Sequence, residues 1–229
     1  MVPRLAFAHT LRPPVRTLSR LICCLPLVLG ACHGKSAEAP APVEPPLRPL
    51  AALAAQRVIV APAYRLRTGD VLGWAAQIPR SREYLKSFDD EIAFALAERG
   101  LKTQWVYPAE LVRSMRGNPT YAPDPYTLAA EPLRSPDVGP GAKLGDPLVT
   151  QLRTIVALHD ARAVLMPVEL RFEKDKSGQG IAIVRLAVLD GRMGEVRWAS
   201  DVKSDPSPTF SRALLSSLAA HLADLITAR

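Results

Sequence analysis

Histidine is the side chain best suited to moving protons or binding a metal near neutral pH, and the 229-residue chain holds four: His9, His33, His159 and His221. None lies in an H-x-x-H or H-E-x-x-H spacing, so no pair shares one helix face toward an ion. His159 falls at an expected helix end, where a cation complements the dipole, and His221 borders an apolar stripe; both read as structural. The densest acidic run is Asp89-Asp90-Glu91. Successive helix residues point about 100° apart, so three carboxylates in a row do not converge on one atom, and the run reads as a solvated face. Ser211, Ser216 and Ser217 lack a G-x-S-x-G elbow. Gly191 and Gly194 read as turn glycines with no helix behind them to hold a phosphate. Trp74, Trp105 and Trp198 fall in strands and loops and read as core or rim. Catalysis would need distant residues, such as Asp70 with His159 and Asp160, to converge. The expectation is therefore a non-enzymatic protein with no metal and no cofactor.

The cysteines carry more information. Cys23, Cys24 and Cys32 all lie at the amino end, and the remaining 197 residues have none. Such a body must be stable without disulfides, even in an oxidising compartment where exported domains commonly carry them. The same end holds Arg4, Arg12, Arg16 and Arg20 and no acid, so the formal charge of +7 falls to +3 without the first 31 residues. A surplus that small removes the electrostatic argument for nucleic acid as a partner. Residues 21–31 (LICCLPLVLGA) then carry no charged residue, giving the order of a secretory signal: positive region, apolar region, small residues. A membrane span takes about 20 apolar residues, and Pro26 interrupts this shorter run.

The run closes on Leu29-Gly30-Ala31-Cys32, which resembles the lipobox of bacterial lipoproteins. The resemblance implies that residues 1–31 are a lipoprotein signal peptide and that Cys32 is the lipidation site, acylated by palmitate-type chains and exposed by cleavage. Each buried methylene adds about 0.8 kcal/mol to membrane attachment, so two or three chains hold firmly. His33 stands where an aspartate tends to keep lipoproteins at the inner membrane. The resemblance thus points to the inner leaflet of the outer membrane, facing the periplasm. Residues 32–50 are the lipidated cysteine and a Pro/Ala-rich linker, with five prolines in residues 33–50. Extended at about 3.1 Å per residue, that spacer would hold a domain roughly 50 Å from the bilayer.

The folded body is expected over residues 51–229. Residues 57–62 (RVIVAP) read as a buried strand, 81–100 as a helix on Leu85, Phe88, Ile92 and Leu96 closed by Gly100, 102–107 as a strand, and 108–115 as a short helix opened by proline. Asp146-Pro147 reads as an N-cap followed by proline at the first helical position. In residues 162–172, Val164, Met166, Val168, Leu170 and Phe172 alternate with polar residues and read as one face of a half-buried strand. Residues 181–189 are a nearly continuous apolar strand suited to the sheet centre. In residues 195–203, Val196, Trp198 and Val202 read as one face of a third strand, and residues 207–229 as an amphipathic helix. The fold class that follows is a single α/β (α+β) domain: a mixed sheet of about five strands, packed helices and a C-terminal antiparallel meander ending in a helix.

Residues 117–145 break this rhythm with six prolines in 29 residues. They read either as a disordered or loosely packed excursion or as a partner-binding or lid segment, with Tyr121 and Tyr126 as possible partner-binding residues. Residues 57–62, 163–168 and 184–198 (VRLAVLDGRMGEVRW) resemble the α/β domain shared by the TolB amino-terminal module and the curli-secretion lipoprotein. There a strand ending in Asp, a Gly-Glu-Val turn and an aromatic on the return strand recur before a final helix. The Pro-rich insertion departs from that pattern. Together these readings point to a lipid-anchored, non-enzymatic cell-envelope protein that binds a protein or envelope-polymer partner. The alternative is an oligomeric secretion or transport component of the outer membrane.

Overall fold

Val58, Ile59 and Val60 are β-branched, stiff at χ1 and fully removed from water, and they form β1 (Val58–Val60), an interior strand of the sheet. The computed structural model describes residues 48–227. Cys32, the signal segment and residues 32–47 of the linker lie outside the described residues. After β1 come β2 (Arg65–Leu66), α1 (Ser81–Ala97), β3 (Trp105–Val106), α2 (Pro108–Arg116), α3 (Leu148–Leu158), β4 (Ala163–Lys174), β5 (Gly180–Asp190), β6 (Glu195–Lys203) and α4 (Ala213–Asp224). The sheet order is β3-β1-β4-β5-β6, with β2 pairing β4. β3, β1, β2 and β4 are parallel neighbours, while β4, β5 and β6 form an antiparallel meander. This is a single α/β domain with a mixed six-stranded sheet, one strand more than expected. The extra strand, β2, is two residues long and too short to show a period.

The sheet is covered on both faces. On one side α1 and α4 bring Phe88, Ile92, Leu96, Leu214, Leu218 and Leu222 against Val58, Val60, Leu165 and Leu186. On the other, α2 and α3 bring Leu111, Met115, Leu152 and Ile155 against Ile59, Val164 and Leu189. Gly100 ends α1 as its φ of +83° requires; its N–H reaches the carbonyl of Ala97 at 3.0 Å and the Leu101 N–H that of Leu96 at 3.1 Å. α3 starts one residue later than the sequence reading placed it. Pro147 occupies the N-cap without a side-chain acceptor, and the Asp146 carboxylate instead takes the Thr150 hydroxyl hydrogen at 2.8 Å.

Two β-bulges correct the expected strand faces. Pro167 pairs with Leu186 and Glu169 with Arg185, so Val168 is an additional residue in β4. Because the side-chain period is 2, one inserted residue reverses every later side chain. Val164, Met166 and Val168 accordingly pack with α2 and α3, whereas Leu170 and Phe172 pack with α1 and α4. Likewise Val188 pairs with Trp198 and Leu189 with Val196, leaving Arg197 as the additional residue of β6. Val196 faces α3, while Trp198 and Val202 face the opposite layer.

Residues 117–145 are part of the packed structure and not a loose excursion. Two short 3-10 turns, Pro125–Thr127 and Glu131–Arg134, present Leu128, Ala130 and Leu133 to the α2/α3 side of the core. Arg134 donates to buried Glu169 through Nε at 2.6 Å and also pairs with Glu131. Arg185 donates to the carbonyls of Ser135 and Val138 at 3.2 and 2.8 Å. The end of the segment covers the free edge of β6: Gly141 donates to the Val196 carbonyl at 2.8 Å, and the Val196 N–H reaches Ala142 at 2.9 Å.

The far end of the α1/α4 layer is closed by Trp74, Tyr84, Phe172 and Phe210, with the Trp74, Phe172 and Phe210 ring centroids 5.6 to 5.8 Å apart. Gly180 at the start of β5 lies directly under the Trp74 ring: a Cβ there would stand 2.0 Å from the nearest indole carbon. Since neighbouring aromatics hem in the indole, Gly180→Ala is expected to cost about 1–3 kcal/mol. Urea unfolding checks this, and an unchanged midpoint would contradict the packing.

Candidate functional site

β5 ends at Asp190, whose carboxylate is 2% exposed and bonded on both oxygens. Oδ1 accepts the backbone N–H of Arg192 at 3.1 Å and of Met193 at 2.9 Å, which fixes the turn into β6. Gly194 completes it with φ +65° and donates to the Asp190 carbonyl at 2.9 Å. Oδ2 accepts from Arg162 Nε and Arg197 Nη2, each at 2.7 Å. The bulge brings Arg197 to this carboxylate, a common use of an inserted strand residue beside a site. Burial alone would raise the Asp190 carboxyl, but the bonds from Arg197, the Met193 N–H and Arg162 outweigh it and hold the group at about 2.

The two arginines stand at a cleft of ≈ 390 Å³ whose walls include Leu50, Ala52, Leu53, Val188 and Trp198. Their side chains are 57% and 48% exposed, in contrast to the buried carboxylate that holds them. Arg197 also bonds Glu195 through Nη1 at 3.0 Å, and Glu195 is compensated by Lys143 at 2.7 Å. Arg162 Nη1 and Nη2 have no partner among the described residues. One wall comes from the start of the described chain: residues Ala51–Ala55 form a 3-10 turn, tied to the end of α4 by the Leu50 N–H on the Leu225 carbonyl at 3.1 Å. The arrangement can bind an anion against an apolar surface. It offers no nucleophile, and its single acid is locked in ion pairs.

The other residues singled out from the sequence are dispersed. Tyr121 is 61% exposed and donates its hydroxyl hydrogen to Asn118 Oδ1 at 2.6 Å. Tyr126 is half-buried, with the Arg82 guanidinium 4.9 Å from its ring centroid. A nearby groove is lined by Val112, Met115, Pro119, Pro123 and Pro125 and by neither tyrosine. Asp70, His159 and Asp160 do not assemble. Asp70 accepts from the N–H groups of Leu72, Trp74 and Ala75, Asp160 pairs with Arg192, and His159 Nε2 is buried without a hydrogen-bond partner among the described residues. Burial holds His159 below the usual imidazole range, with Glu110 opposing and Arg57 reinforcing the shift. Ser216 bonds Glu91, and Ser217 bonds Asp205. Among the described residues no group of three or more His, Cys, Asp or Glu is placed to hold a metal ion, and no helix is long and apolar enough to cross a membrane.

The acidic run needs correction. Only Asp90 is an exposed residue, paired with Lys86; Glu91 is half-buried and paired with Arg212, and Asp89 is only 3% exposed. It turns inward and accepts the Ala63 N–H at 2.8 Å, anchoring α1 to the loop after β1. Burial raises its carboxyl to about 7; Asp90 adds to the rise, and the Ala63 bond and Lys86 oppose it. Its position was readable from spacing, since it follows Phe88 on the inward arc of α1. The cleft arginines carried a weaker signal, because charged residues on strands resemble a wet face.

No protein-family model matches the chain, and no curated protein matches it. Among solved structures it is similar to a PelC dodecamer from Paraburkholderia phytofirmans, at 13% identity and TM-score 0.39 over 77% of this chain and 91% of that one. It is similar to the lipoprotein GNA1162 from Neisseria meningitidis, at 18% identity and TM-score 0.36 over 73% of this chain and 93% of that one. It is also similar to LpoB from E. coli, at 15% identity and TM-score 0.34 over 85% and 86%.

The two buried acids shape stability in opposite directions. A carboxyl held below its unfolded value stabilises the fold above about pH 4, and that contribution is lost as pH falls toward 2: this is Asp190. A carboxyl held above its unfolded value stabilises below about pH 4, and the contribution is lost as pH rises through 7: this is Asp89. Asp190→Asn is expected to flatten the lower part of a urea-stability profile and Asp89→Asn the upper part. Profiles that both variants leave unaltered would contradict these roles.

Proposed function

We propose that the chain is a lipid-anchored, non-enzymatic protein of the cell envelope whose α/β domain binds a protein or an envelope polymer. The carrying observation is the order of features along the chain: an arginine-bearing apolar segment closing on Leu29-Gly30-Ala31-Cys32, a proline spacer, then a cysteine-free body. Lipid on Cys32 would place the domain at the inner leaflet of the outer membrane, facing the periplasm. A protein held this way acts by what its surface recognises, and the cleft beside residues 50–53 supplies a surface with apolar walls and exposed guanidinium groups. The body suits such a compartment because both sheet faces are packed without disulfide support.

Radiolabelled palmitate is expected to enter the wild-type chain in a Gram-negative host and to be absent from Cys32→Ser, with the variant leaving the membrane fraction. Equal labelling of the two forms would overturn the anchor.

A further inference from the structure

Arg162 and Arg197 converge on a single carboxylate oxygen, and the geometry points to a binding site for a peptide's terminal carboxylate beside an apolar side chain. This assignment rests on the partner-binding reading above and names the chemistry of the partner. A buried acid that accepts from two guanidinium groups fixes their planes before any ligand arrives, so less side-chain freedom is lost on binding. Arg162 donates to Asp190 only through Nε; its two terminal nitrogens form the paired edge that matches a carboxylate's two oxygens.

Charge and volume narrow the class. The ionised groups lining the cleft are two arginines and one aspartate, a surplus of one positive charge. That surplus suits a monoanion and leaves a phosphate dianion undercompensated. The ≈ 390 Å³ volume sits near the lower end of the range for small-ligand pockets, about 300–1,000 Å³. It accommodates one or two residues and not a folded element. Leu50, Leu53, Val188 and Trp198 stand in the same cleft as the guanidinium pair, so the ligand must carry an apolar group within a few bonds of its charge. The last residue of a chain ending in Phe or Leu satisfies both conditions, because its side chain and its carboxylate leave the same Cα.

The test uses the full chain in mild detergent and an N-terminally fluorescein-labelled pentapeptide Ala-Ala-Ala-Ala-Phe, read by anisotropy. Saturable binding is expected, about tenfold weaker for the C-terminal amide and for Arg162→Gln. Ala52→Glu, an exposed position on the cleft, is expected to abolish it with the circular dichroism spectrum unchanged. Equal affinity for acid and amide, or no effect of Arg162→Gln, overturns the assignment. So does stronger competition by soluble glycerophosphoglycerol than by unlabelled peptide, which would give the site to a lipid headgroup. The Cys32→Ser chain is expected to bind the peptide as the wild type does. Absent peptide binding with intact palmitate labelling therefore overturns the ligand and leaves the anchor standing.

Discussion

Because β4 and β6 each carry one residue more than β5 opposite them, at Val168 and Arg197, their side chains change faces partway along. A regular pleat would have sent Leu170 and Phe172 toward α2 and α3 and left the aromatic cluster around Trp74 without its centre. With the bulge, each half of β4 meets the layer that has room for it. The same reversal puts Glu169 on the side where Arg134 reaches it, and so ties residues 117–145 to the sheet. In β6 the reversal leaves Arg197 unpaired in the ladder and free to bond Asp190. Two insertions thus set both the core and the cleft.

The structure handles its two most buried aspartates in opposite ways. Asp190 keeps its charge because two guanidinium groups and two backbone N–H groups meet its oxygens. Such a network is costly to break from one side, since a lone buried charge would be left. Asp89 receives one backbone N–H and is otherwise cut off from water, so its ionised form is penalised and its carboxyl is pushed up to about 7. The first arrangement organises groups that face solvent, and the second fixes a helix to a loop. Only the first has the form of a recognition site.

How much of this was legible in the sequence follows from which signals are periodic. α1, α2 and β5 carry uninterrupted apolar periods and a terminal Gly or initial Pro, and the structure places them where those signals fall. The faces of β4 and β6 were not legible, because a bulge leaves the alternation of residue types intact while reversing its meaning. Leu128, Ala130 and Leu133 are three apolar residues among prolines, too few to register as a buried element, yet they complete one side of the core. The strand-ending Asp190, the Gly-Glu-Val turn and Trp198 were visible as a pattern. That Asp190 and Trp198 border one cleft depends on a residue pairing no one-dimensional reading contains.

The proposed recognition takes place at the cleft beside residues 50–53, with residues 117–145 serving as a structural cover. Hydrogen–deuterium exchange of the full chain with and without the free-acid pentapeptide tests this most directly. Protection confined to residues 50–56, 162–163 and 188–198 is the predicted result. Protection centred on residues 117–145, with the cleft unchanged, would contradict it.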